Sequence, residues 1–431
     1  MGPLRSTLDD YREALSLFSR PARRFLLGTF LVWGAHGISS VLFNLYLVEG
    51  RFPVSFVGQT ISMNGLGLAL MALPAGVLAD RWGRRRCLIL GALLEGAATL
   101  VRVTVLSPAA ILGASFAIGA GQSLYAIAAA PFIAEHSTPR ERTYLFSAFF
   151  AVELLAGVAG SIFGGWMPPA LRALPAGFAP SLLASYRATL VAAALFAAAG
   201  ALPMAMLRGF RESAVAPEAA DADRAASRKL WPIALNALLI GMGAGLVIPF
   251  MNLYFARRFQ CSSGQIGLFF SVAQVATAAA TLLGPALARR FGRLRTATAS
   301  ELLSLPFLVT LGAERRLDVA VGAFWLRAVL MQASTPLVNA FIMESLPVRL
   351  RARSASLSNT VWNAGWAASA TLSGWVIQRF GYDVPFYVTA VLYATAAITF
   401  YLSFRGSPEG GSLPPLSEEA RGVRGEGPGT E

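Results

Sequence analysis

Between Arg51 and Asp80 the chain carries no charged side chain, and Arg81, Arg84, Arg85 and Arg86 follow almost at once. An uncharged run of that length is what a bilayer crossing needs, since roughly 20 apolar residues span the hydrocarbon core. Lipid offers the backbone no partners, so such a run must be helical. Comparable runs lie at about 25–48, 55–79, 87–106, 108–133, 144–167 and 185–207, and again at about 231–256, 263–288, 296–312, 318–343, 354–377 and 384–404. The spacing predicts twelve transmembrane helices, the ninth short and interrupted by Glu301 and Pro306. With 55% hydrophobic and only 14% charged residues, a soluble chain of 431 residues is excluded. The polar first 24 residues, with Asp9, Asp10 and Glu13, predict no cleavable signal peptide.

Arginine sets the orientation. If the N-terminus is cytoplasmic, the termini and cytoplasmic loops hold 26 of the 36 Lys+Arg, the outer side holds eight, and Arg102 and Arg327 fall within helices. This is the positive-inside pattern, and it predicts a multi-pass protein of the plasma membrane with both termini cytoplasmic. The net charge of +13 then reports topology and contact with anionic lipid. Nucleic acid is not an expected partner, because no soluble basic domain exists. Cys87 and Cys261 are expected on opposite sides of the membrane, Cys261 in an outer loop, so no disulfide joins them. No residue cluster has metal-ligand, nucleophile–base or phosphate-loop spacing. Neither an enzyme, a cofactor nor a metal is expected.

The chain repeats itself. FNLYL at 43–47 returns as MNLYF at 251–255, an offset of 208. At an offset of 209, DRWG at 80–83 meets RRFG at 289–292. Phe132, Ile133, Glu135, Arg140, Arg142 and Ser147 meet Phe341, Ile342, Glu344, Arg349, Arg351 and Ser356, and GW at 165–166 meets GW at 374–375. A near-constant offset over so long a stretch predicts two homologous six-helix bundles, 25–207 and 231–405. Residues 208–230 are expected to form a cytoplasmic linker, 1–24 a cytoplasmic N-terminal segment, and 406–431 a disordered cytoplasmic tail.

Two parallel halves of this kind suit alternating access, and here the chain resembles the major facilitator superfamily. The family's loop between helices 2 and 3 is matched by Gly76, Asp80, Arg81, Gly83, Arg84 and Arg86, and its second cytoplasmic cluster by Glu135, Pro139, Arg140 and Arg142. The resemblance implies an all-α membrane transporter with two pseudo-symmetric bundles. Physically, Gly76 lets helix 2 approach a neighbour closely. Asp80 can accept bonds from free N–H groups at another helix start, which carries about half a positive charge, and the resemblance implies that this is the start of helix 11. Gly83 permits the turn, and the arginines can pair with Glu135 or lipid phosphate. With Arg142, Glu344 and Arg351 of the second cluster and its repeat, these residues predict a cytoplasmic gate. The second copy has Arg289 where Asp80 stands, so the two halves should not gate alike. Helix 5 carries Gly160, Gly164 and Gly165, similar to a motif of drug–proton antiporters but with Ser161 in place of proline. That similarity implies an exporter.

Ionisable residues that break the repeat are the candidates for function, because a charge at the bilayer centre costs roughly 2.5–3.5 kcal/mol. Glu153 is opposed by Trp362, Arg327 by Ile118 and His36 by Ala244. Glu153, expected to face a central cavity, is the leading proton carrier, with His36 next. Arg327, in a stretch resembling an antiporter arginine motif but displaced into helix 10, is expected to bind an anionic substrate or to act as counter-ion to Glu153. Glu95 and Arg102, seven apart on one face of helix 3, are open to either a structural or a functional role. Gln122, Tyr125, Asn252, Gln332, Asn339, Trp362 and Asn363 are candidates for the substrate cavity, each also able to serve as an interhelical bond. This mostly neutral set favours a small, weakly charged or moderately hydrophobic molecule. The function expected is a secondary transporter, a proton-coupled exporter working as a monomer. A proton-independent facilitator, a lipid translocator or an importer are the alternatives.

Overall fold

The computed structural model describes residues 18–137, 139–174, 181–207, 230–346 and 348–405. The expected N-terminal segment, except residues 18–24, the linker except Leu230, and the tail all lie outside the described residues. Twelve long helices account for nearly everything else. The first six are α1 (Arg20–Glu49), α2 (Val54–Trp82), α3 (Arg84–Thr104), α4 (Pro108–Glu135), α5 (Pro139–Ala173) and α6 (Leu182–Ala205). The second six are α7 (Leu230–Arg258), α8 (Ser263–Phe291), α9 (Arg293–Ala313), α10 (Leu317–Ser345), α11 (Val348–Phe380) and α12 (Asp383–Phe404).

Several helices outrun their apolar blocks. α5 and α11 begin among charged residues, at least one turn before the runs at 144–167 and 354–377, and end at Ala173 and Phe380, beyond them. A helix needs apolar side chains only where it meets lipid, and beyond that it continues until a cap or a glycine stops it. Ser19 caps α1, accepting from the Ala22 amide at 3.3 Å. Ser262 and Gln265 form a reciprocal capping box on α8. Gly83 and Gly292 end α2 and α8 at φ 87° and 85°, a region open to glycine at little cost, and so turn the chain straight into α3 and α9. α9 is continuous across Pro306, and Glu301 within it is buried.

The two halves pack by one plan. Within the first, α1 lies against α5 and α6, α3 against α4 and α6, and α2 against α4. Within the second, the pairs are α7 with α11 and α12, α9 with α10 and α12, and α8 with α10. Equivalent side chains make equivalent bonds. Tyr46 donates to the carbonyl of Val103, and Tyr254 to that of Leu311, both at 2.7 Å.

Between the halves, α2 packs on α11 and α5 on α8, with α1 crossing to α7 and α8. The contacts named across this boundary lie at the end of the molecule remote from Arg84 and Arg293, called here the far end. Gly58 of α2 lies against the backbone of Ala370, and its repeat partner Gly267 of α8 against that of Ser161. Any side chain at either glycine would strike a backbone, so the close approach requires both. Ser62 donates to the Ala367 carbonyl and lies 2.6 Å from the Thr371 hydroxyl, while its counterpart Ser271 donates to the Val158 carbonyl at 3.2 Å. In a bilayer, close backbone packing and such bonds hold helices together, because lipid and leucine are equally apolar. Toward the basic end, no protein atom comes within 4 Å of where a Cβ on Gly76 would sit. The halves therefore clasp at the far end and part at the basic end. The close approach expected at Gly76 is absent from this conformation: Ala75 and Ala79 on either side of it are buried in the first bundle, and the face of α2 that Gly76 presents meets no neighbour among the described residues.

Candidate functional site: the gate and the buried charges

At the basic end the arginines are spent within each bundle. Arg84, at the start of α3, forms an ion pair with Glu135 at the end of α4. Arg293, at the start of α9, pairs with Glu344 at the end of α10. Arg142 donates to the Ala134 carbonyl at 3.1 Å, and Arg351 to that of Leu346 at 3.2 Å. Arg85 donates to the Ala205 carbonyl and Arg24 to that of Met206, at the C-terminus of α6. Arg81 and Arg86 are exposed. Asp80 is exposed too, with no hydrogen bond or ion pair to the described residues. These contacts brace each bundle, and among the described residues no latch joins the two bundles in this state.

The far-end clasp closes around an asparagine pair. Pro249 lies in a short 3-10 turn, Ile248–Phe250, within α7, and its carbonyl is left free because the Leu253 amide donates to Asn252 Oδ1 at 2.8 Å instead. Asn44 of α1 donates to that carbonyl at 2.6 Å and to the side chain of Asn252 at 3.1 Å. Asn252 in turn donates to the carbonyls of Ser40 and Val41 at 3.1 and 3.0 Å. These are the asparagines of the repeated FNLYL and MNLYF segments, facing each other across the pseudo-two-fold axis. Asn252 was expected in the cavity wall. At 1% exposure it belongs to the seal instead. Cys261, expected in an accessible loop, is 8% exposed, tucked beneath the same end.

The mid-membrane charges gather in the first bundle. His36, Glu95 and Gln122 lie close to the middles of α1, α3 and α4. His36 Nε2 is ion-paired with Glu95 Oε1, and the Gln122 amide nitrogen stands 3.3 Å from the same ring atom. Asn64 of α2 donates to Gln122 Oε1 at 3.3 Å. The Trp33 ring lies edge-on to His36 at 5.2 Å, and Trp33 also hydrogen-bonds Glu153 of α5. Glu153 is half-buried, one turn before Gly157, whose backbone meets Gln274 of α8. Arg102 stacks over Phe43 at 3.8 Å. Tyr125 is 5% exposed and bonded to Thr29 at 2.7 Å, which puts it inside the bundle rather than on a cavity wall.

In the second bundle Arg327 of α10 is 5% exposed and bonded to Tyr393 of α12. Glu301 of α9, also 5% exposed, accepts from Ser334 at 3.4 Å. Arg327 is sealed in the half opposite to Glu153, so the counter-ion role expected of it does not exist here, and a substrate anion could not reach it. Gln332 and Asn339 are exposed on α10, Trp362 and Trp366 stack at 5.1 Å on α11, and Asn363 is bonded to Asn359 within its own helix at 2.8 Å. Glu95 is the residue the sequence reasoning under-weighted. It breaks the repeat as Glu153 does, facing Ser304 at the offset of 209, and that signal could have singled it out.

A model of the Major Facilitator Superfamily matches residues 25–232 and 233–426. The chain belongs to the Major Facilitator Superfamily. Over 198 residues it is 25% identical to the niacin transporter NiaP of Acinetobacter baylyi, covering 44% of this chain and 42% of that protein. Over 117 residues it is 33% identical to the human solute carrier family 2, facilitated glucose transporter member 12, covering 25% and 19%. The matches thus span less than half the length of these relatives. The fold is similar to a bacterial homologue of the human lysosomal transporter Spinster in an inward-facing, unoccupied conformation. There the TM-score is 0.73 at 15% identity, over 89% of this chain and 96% of the other. As a member of that superfamily the chain is a multi-pass membrane protein, clasped at its far end and parted at its basic end in this conformation.

Proposed function

We propose that the protein is a proton-coupled secondary transporter of a small, weakly charged organic molecule, acting as a monomer in the plasma membrane with both termini cytoplasmic. The observation that carries the coupling is a single one: an imidazole–carboxylate pair at mid-span, His36–Glu95, whose histidine is 26% exposed while its partner is 4% exposed. α1 is the helix of the first bundle that touches α7 and α8 of the other. On this reading the exposed part of His36 faces the gap that changes as the halves rock, where a titratable group exchanges protons with one side at a time. Glu153, hydrogen-bonded to Trp33 beside it, extends the same set. The orientation is supported by the arginine asymmetry, under which the basic end is cytoplasmic and this conformation is inward-facing.

The direction proposed is export, on the helix-5 motif alone. Its glycines lie against α1 and α8, Gly160 on Gly34 and Gly165 on Ser263, so packing already accounts for them. Uptake is the competing outcome. The test is a proteoliposome preparation with a trapped pH dye, challenged with nicotinate, glucose and a panel of amphipathic drugs under an imposed pH gradient. Substrate-dependent proton movement is expected. Substrate flux indifferent to the gradient would replace this reading with a facilitator. Topology is checked separately with Arg257→Cys and Arg86→Cys, both exposed positions, since Cys261 is too buried to report. An impermeant maleimide applied from outside the cell is expected to label position 257 and spare 86.

A further inference from the structure

We infer that the proton resides on Nε2 of His36, that Glu95 is its buried partner, and that Gln122 reads whether the site is loaded; this rests on the proton-coupled reading above. The ring atom Nε2 faces two groups at once, the Glu95 carboxylate and the Gln122 amide nitrogen at 3.3 Å. A single nitrogen cannot donate to the first and accept from the second at the same time. Loaded, the imidazolium donates its N–H to Glu95, and the Gln122 amide is released. Unloaded, the Nε2 lone pair accepts from Gln122, and the carboxylate loses its donor. Loading adds one proton to that lone pair and breaks no covalent bond.

The surroundings suit a site that changes charge by one. Facing His36 are Glu95 and Arg102 from α3 and Glu153 from α5, with Tyr125 close by on α4. α2, α7 and α8 carry no titratable residue in their central turns, and α6 brings Tyr186 and Arg187 only near its far-end start. With His36 protonated the four ionised groups sum to zero. Glu95 Oε2 is buried without a hydrogen-bond partner, so the carboxylate depends on His36 and on Arg102, seven residues along the same helix face. Gln122 carries the state outward, since its carbonyl holds Asn64, two residues from Ser62 in the far-end clasp. Glu95 is a positioning residue, and the proton is held on His36.

The chain has only two histidines, which makes the site directly visible. His136, beyond the end of α4, is held below the usual histidine range by burial and by nearby Arg84, against the pull of the Phe132 carbonyl, and serves as a neutral reference. The experiment is nitrogen NMR on the full chain in lipid nanodiscs with labelled histidine, titrated from acid to alkaline pH with protons as the only ligand. At neutral pH His36 is expected to show an imidazolium signal that is lost in Glu95→Gln and kept in both Glu95→Asp and Glu153→Gln. Gln122→Leu, which removes the donor to the unloaded form, should leave His36 charged over a wider pH range. This variant decides the matter if Glu95→Gln does not fold. A signal indifferent to Glu95→Gln, or lost equally in Glu153→Gln, would overturn the assignment, as would a Gln122→Leu titration identical to wild type. None of these readouts requires transport, so the assignment can fail while proton coupling through Glu153 stands, and the reverse.

Discussion

In the first bundle a buried acid reaches the gap between the halves through a histidine that is 26% exposed. In the second, Glu301, Arg327 and Tyr393 are 5%, 5% and 1% exposed, closed off from it. The backbones are near copies, down to matching tyrosine–carbonyl bonds and matching positive-φ glycines, so the fold does not require this difference. A sealed, bonded charge braces its helices and sees the same surroundings whichever way the bundles tilt. A charge with one wet face sees water come and go, and so can couple proton movement to the tilt. On the proton-coupled reading proposed above, one half is the chemical half and the other its rigid counterpart.

The sharpest way to break that comparison is to neutralise both sets and read stability and transport separately. Glu153→Gln should abolish gradient-driven accumulation and leave the melting temperature close to wild type, because the position has a solvent-facing side. Arg327→Met should do the opposite. It deprives Tyr393 of a buried, charge-assisted bond worth roughly 2 kcal/mol, a loss that lowers the melting temperature of a bundle of this size by roughly 4–8 °C. Transport per folded molecule should persist. If Arg327→Met is as stable as wild type yet inactive, the second bundle also carries chemistry, and the division between halves fails.

How much of this was legible in the sequence follows the same division. The twelve spans and the doubled plan are written in apolar length and in the offsets of 208 and 209, because lipid thickness and helix pitch leave little freedom. Asn252 could not be placed from its type. Whether an asparagine on α7 lines a cavity or seals an end depends on the Pro249 carbonyl being left free in the 3-10 turn, and on Asn44 arriving from the other half. Arg327 was over-weighted by its similarity to a motif on another helix. Glu95 was under-weighted because spacing reports which residues share one helix face, as it does for Arg102, and says nothing of a partner on α1.

The next effect in size concerns the clasp, which both halves build. Asn44→Ala removes the bonds to Pro249 and Asn252, each interhelical bond of this kind being worth about 0.6 kcal/mol in lipid. The far-end-closed state should lose population by roughly three- to tenfold, read as increased accessibility of cysteines introduced below the seal. Asn252→Ala should match it closely, since the two side chains complete one network. Unequal effects would mean that the clasp, like the charges, belongs mainly to one half.

The smallest effect is expected at the basic end, where the repeat itself breaks: Asp80 in one copy, Arg289 in the other. In this state Asp80 is exposed and has no bond to the described residues, lying beyond the α2–α11 contacts, which run from the far end to Gly65 and Ala367. When the basic end closes, the start of α11 swings toward it, and a carboxylate there meets the positive end of a helix dipole. Arg289, at the matching place on α8, would meet the start of α5 with the wrong sign. Asp80→Asn should therefore weaken the basic-end-closed state and slow transport by at most about fivefold, since such a terminal interaction is solvent-screened. Arg289→Asn should leave transport unchanged, and Arg289→Asp should favour closure by supplying the missing carboxylate. Single-molecule distances between dyes on α2 and α11, compared across the three variants, read the closed population directly. Identical populations in all three would reduce the DRWG loop to a topology signal and leave the buried charges as the asymmetry that matters.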